Sequence, residues 1–144
     1  MKKKFCALLA AGLGMLSLSS CSQAGNQFID KYDWQMTSIQ AGDDGSAIAC
    51  APELTDIHGE AEPVRMTCQA KNGNLTITDS THGISYTGQY SLQQENAREA
   101  VYTVSFEGAE GHGVTAMTTY HDGSQSPSFI LSVDSYAINF EAQS

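Results

Sequence analysis

From residue 34 onward the chain alternates apolar and polar side chains with a period of two, the spacing of a strand with one buried face. At 34–40, Trp34, Met36 and Ser38 share a face. At 65–70, Met66, Cys68 and Ala70 alternate with Thr67 and Gln69, and at 75–78 Leu75 and Ile77 alternate with threonines. A longer run, 84–92, puts Ile84, Tyr86, Gly88, Tyr90 and Leu92 on one side, with Gly88 suggesting a bend. Further strands are predicted at 46–50, 101–107, 114–120, 128–133 and 136–140. Turn chemistry separates them: Asp43-Asp44-Gly45, Asn72-Gly73, the stretch 79–83, the glycine-rich stretch 108–113 and Asp122-Gly123.

Two stretches break the alternation. Residues 51–63 hold Pro52, Gly59 and Pro63 with several acids and read as a long loop; 93–99 is polar and reads as a loop or helical turn. No amphipathic helix is apparent beyond the first 20 residues. About eight or nine short strands joined by hairpin turns predict an all-β antiparallel meander that closes on itself, with a β-sandwich as the alternative.

The first 20 residues have another character. Lys2, Lys3 and Lys4 precede an apolar run, 5–18, too short to span a bilayer comfortably. A basic start, a short apolar run and small residues before a cut site make a secretory signal. Leu18-Ser19-Ser20-Cys21 resembles the lipobox of bacterial lipoproteins. That resemblance implies lipidation of Cys21, removal of residues 1–20 and attachment to the extracytoplasmic face of the cell membrane. A diacylglyceryl group supplies two chains, enough for stable anchoring where one is marginal. Residues 21–31 then read as a tether, and 32–144 as a single all-β domain. Phe28, Ile29 and Tyr32 are candidates for a turn that plugs one end of the fold.

Charge narrows the partners. The 144 residues carry seven basic and sixteen acidic side chains, net −9; without the three N-terminal lysines, four bases face sixteen acids, net −12. Such a surface disfavours nucleic acid and anionic headgroups, so no nucleic-acid partner is expected and the lipid alone would hold the membrane. Cys50 and Cys68 are the cysteines left after Cys21. An even pair in an exported chain reads as a disulfide stapling the 51–63 loop, with two buried thiols as the other reading.

A tryptophan strand first, a glycine-broken strand near the middle and a final aromatic-aliphatic strand resemble the small lipocalin-like domains of bacterial lipoproteins, although Tyr32-Asp33-Trp34 stands where a Gly-x-Trp opening is usual. The resemblance implies a small barrel that binds an apolar ligand. Trp34, Tyr86, Tyr90, Tyr102, Phe106 and Tyr136 are the aromatics that could line its cavity; the plainer reading is that they fill the core.

Catalytic chemistry finds no foothold. His58, His82, His112 and His121 lack zinc-site spacing, no calcium loop or nucleophile elbow occurs, and no metal or cofactor is expected. The expected function is non-enzymatic binding of a small apolar ligand or an envelope protein. A structural or inhibitory interaction module with a solid core is the first alternative and a carboxylate hydrolase the last.

Overall fold

The computed structural model describes residues 28–42 and 44–143. The lipobox, Cys21 and the tether through Gln27 lie outside the described residues. Ten strands follow in order: β1 (Trp34–Ala41), β2 (Ala47–Cys50), β3 (Glu62–Pro63), β4 (Met66–Lys71), β5 (Asn74–Asp79), β6 (Ile84–Glu95), β7 (Glu99–Phe106), β8 (Ala109–Thr119), β9 (Gln125–Val133) and β10 (Tyr136–Ala142). From β4 to β10 each strand pairs with the next, and β1 pairs with both β4 and β10. The result is a closed eight-stranded antiparallel barrel. Closure leaves no long edge for another chain to pair with.

One flank of β1 is shared. Trp34 and Gln35 pair with Cys68 and Thr67 of β4, whereas Ser38, Ile39 and Gln40 pair with β2. The insert between β2 and β4 contains a 3-10 turn (Pro52–Leu54), one α-helical turn (Thr55–His58) and β3, which runs parallel to β2. Part of the expected 51–63 loop is thus short helix.

This fork also rules out the disulfide. Cys50 lies opposite Ser38 and Cys68 opposite Trp34, on the same flank of the same strand. Four residues of strand separate those positions, about 13 Å, against a limit of about 7 Å between bridged Cα atoms. Both thiols are free and buried. Burial pushes the Cys68 thiol up to about 12, so it stays protonated and unreactive. Backbone bonds hold the insert instead: Ala51 N–H donates to Thr37 O at 2.9 Å and Val64 N–H to Cys50 O at 2.9 Å.

One end of the barrel is sealed. Ile29–Lys31 forms a 3-10 turn with Ile29 fully buried. Trp34 Nε1–H donates to Ile29 O at 2.8 Å, and Ile29 N–H donates to the Tyr102 hydroxyl at 3.1 Å. The domain therefore begins by Ile29, inside the span read as tether. Above the plug, Trp34, Phe129 and Phe140 pack ring to ring, with centroids 5.6 and 5.3 Å apart, and Tyr90 meets Tyr102 edge to face at 5.6 Å.

The glycine-rich stretch 108–113 is not a turn. Only Glu107 and Gly108 turn the chain; Gly111 and Gly113 lie in β8. A Cβ on Gly113 would come within 2.8 Å of the Phe129 ring, so these glycines make room for the core. Likewise 93–95 extends β6 instead of forming a loop.

Candidate functional site

The other end of the barrel is open. Four connections surround it: 42–46, 80–83, 107–108 and 134–135. The turns 72–73, 96–98 and 120–124 lie at the plugged end with Ile29. The ladder register assigns the inner face at the open end. Tyr86 pairs with buried Ile77, Ile84 with Asp79, and Gly88 with buried Leu75, so Ile84 and Tyr86 share the inward side of β6 with Gly88 and Tyr90. Tyr136 pairs with Val133 and has the parity of Ile138 and Phe140. Inward side chains are normally hidden, yet Ile84, Tyr86 and Tyr136 are 44%, 47% and 48% exposed. β6 and β10 are four places apart in a ring of eight, so the two tyrosines face each other across the mouth.

Below them the wall narrows. Phe106 lies over Gly88, where a Cβ would come within 2.7 Å of its ring, and Val133 reaches within 2.9 Å of the same point on Gly111. Phe106, Val133 and Ile138 are half-buried against the core. The packed aromatic layer lies beneath them, so the barrel interior is filled there.

The six aromatics singled out in the sequence therefore do not line one cavity. Trp34, Tyr90 and Tyr102 are buried in the packed layer, Phe106 is half-buried beneath the mouth, and Tyr86 and Tyr136 stand at the rim. Burial drives the Tyr102 hydroxyl far up its scale, which keeps it neutral as a plug contact. Sequence parity identified the face but not the height along the barrel axis, and so passed over Ile84, Val133 and Ile138.

A polar network stands beside this mouth. Asp79, on the inner face and almost fully buried, accepts from the His82 backbone N–H at 3.0 Å and lies 2.7 Å from Nδ1 of the same ring. Nε2 of His82 lies 3.1 Å from Glu62 Oε1 on β3. Burial pulls the Asp79 carboxyl up, but the hydrogen bonds from His82 outweigh it and leave it below its ordinary value. The side-chain bond to Asp79 in turn raises His82, with Glu62 adding to it. The spacing of Asp79 and His82 is local and readable; the approach of Glu62 is not.

The signs set a pH window. What His82 contributes is fully present below its unfolded value, about 6.5, and is lost as pH rises through its higher folded value. What Asp79 contributes is present above its unfolded value, about 3.9, and is lost as pH falls through its lower folded value. An NMR titration should place the His82 midpoint above about 6.5, and Asp79→Asn should lower it. A midpoint at or below the ordinary value would show that the carboxylates do not hold the ring.

An open cleft of about 420 Å³ lies between β1, the insert and the end of β10, with Glu53 and Glu141 in its wall. Glu53 is held below its ordinary value by its own backbone N–H, against desolvation and with Arg65 and Gln35 adding to the lowering, the wrong direction for a general acid. Glu141 accepts from the Tyr120 hydroxyl at 3.2 Å. Glu95, which burial does raise, does not line the cleft. Among the described residues no group of three His, Cys, Asp or Glu side chains could hold a metal ion. No known protein family, curated protein or solved structure matches the chain.

Proposed function

We propose that this chain is a lipoprotein anchored through Cys21 on the extracytoplasmic face of the cell membrane, whose barrel takes a small apolar ligand at its open mouth. The observation that carries the binding reading is the exposure of Ile84, Tyr86 and Tyr136 on the inner face of a barrel sealed at its other end. Exposed apolar surface bordered by polar turns marks a candidate binding surface. The lipobox resemblance supports the anchor.

The neutral fluorophore N-phenyl-1-naphthylamine should brighten on binding the mouth, and the pair Tyr86→Ser and Tyr136→Ser should abolish that signal while leaving the melting transition cooperative. A signal unchanged in the double variant would move the site elsewhere. For the anchor, metabolic fatty-acid labelling should disappear in Cys21→Ala; labelling that persists would overturn it.

A second reading has its own observation. Ile57 is 73% exposed on the helical turn of the insert, and Ile48 of β2 is exposed as well. Two exposed isoleucines on neighbouring elements favour a protein-interaction module whose contact face is the insert.

A further inference from the structure

The geometry points to a cationic amphiphile as the ligand of the mouth: an apolar or aromatic body carrying an ammonium or guanidinium head. This rests on the mouth being the binding site and adds the charge of what enters it.

The argument is the charge carried by the turns around the mouth. Asp44, Glu107 and Asp134 lie in the turns that ring the mouth, and Asp79 sits within its wall, opposite Ile84 in the ladder. The Asp44 carboxylate accepts from the Ser46 N–H at 3.0 Å and from its hydroxyl at 2.9 Å, bonds that favour the charged form. No lysine or arginine lies in those turns. Three of the four described bases are placed elsewhere. Lys31 is in the plug, Lys71 adjoins the 72–73 turn and Arg98 is in the 96–98 turn, all at the sealed end. Arg65 stands beside the mouth, its backbone N–H donating to the Thr81 hydroxyl at 2.8 Å, but its guanidinium lies on Glu53, 3.3 Å away.

An apolar surface bordered mostly by one sign of charge raises the local concentration of the opposite sign. The lining suits the same ligand, because the faces of Tyr86 and Tyr136 attract a cation as well as burying hydrocarbon. A carboxylate-bearing lipid would meet like charge at three of the four rim turns. His82 is the titratable cation of the rim turns, its ring held between Asp79 and Glu62, and Arg65, bonded through its backbone to Ser80 and Thr81, is the fixed cation next to it. Protonated, His82 reduces the negative charge of its trio with the two carboxylates. Deprotonation as pH rises should therefore strengthen cation binding.

The test is displacement of N-phenyl-1-naphthylamine by three twelve-carbon amphiphiles of matched tail, each below its micelle concentration: dodecyltrimethylammonium, dodecyl maltoside and dodecanoate. The cation should displace the probe at about one tenth the concentration of the neutral compound, with dodecanoate weakest, and added salt should shrink the gap. Asp44→Asn with Asp134→Asn should narrow the cation-to-neutral ratio, whereas Asp122→Asn, in a turn at the sealed end, should not. Equal displacement by all three compounds would overturn the charge inference while leaving the apolar site intact. Failure of the protein to bind the fluorophore at all would overturn both. A ratio that falls as much in Asp122→Asn as in the mouth variants would show that net charge, not the rim, sets the preference, and would also overturn the inference.

Discussion

Trp34→Ala should lower the stability of the domain by about 3–5 kcal/mol, the range for deleting a large buried aromatic. The indole is fully buried, packs against Phe129 and Tyr32, and donates to Ile29 O. Its removal would leave a cavity between the aromatic layer and the plug, and an unpaired buried carbonyl on Ile29. Small domains have only about 5–15 kcal/mol in all, so the variant should melt far lower or fail to fold. Trp34→Phe keeps most of the packing and loses the hydrogen bond. It should fall between the two and release the plug first, seen as faster amide exchange at Ile29. Equal chemical-denaturation midpoints for wild type and Trp34→Ala would show that the indole does not hold the two layers together.

Gly111→Val should cost at least about 3 kcal/mol, at or beyond the usual range for overpacking. A Cβ at Gly111 would collide with the backbone carbonyl oxygen of Ser132, and with the Val133 side chain at 2.9 Å. A side-chain neighbour can rotate away; a carbonyl in the β8–β9 ladder moves only if the strands part. Gly108→Val provides the comparison in the adjacent turn, where φ is +78° but nothing lies within 4 Å of the added Cβ. Its cost would be backbone strain alone. Denaturant midpoints should rank wild type above Gly108→Val above Gly111→Val; the reverse order would mean that β8 and β9 give way easily.

The same two glycines show where sequence reading stopped. Alternation located β1, β4 and β5 because each has one buried and one wet face. Gly111 and Gly113 looked like turn residues because a glycine pair with a histidine between them carries no apolar signal. Their role is set by Val133 and Phe129, which arrive from another strand. The cysteine pair failed for a related reason. An even count says that two thiols are present, while only the register of β1 with β2 and β4 reveals that they sit on one flank, out of reach. For the site, parity put Tyr86, Phe106 and Tyr136 on the correct face. Height along the axis depends on the stagger around the ring, which no local pattern encodes, so rim and packed layer could not be told apart.

The ring is closed by its first and last strands. The Thr37 hydroxyl donates to Asn139 O, 102 residues further on, and Met36 lies opposite Phe140. A nascent chain cannot close the barrel until its final strand is free, since every earlier stopping point leaves β1 and the last strand formed as open edges. Pairings so distant in sequence are slow to form. Closure of the ring is therefore a late event that waits on the C-terminal strand, and a truncation within β10 would expose two edges at once.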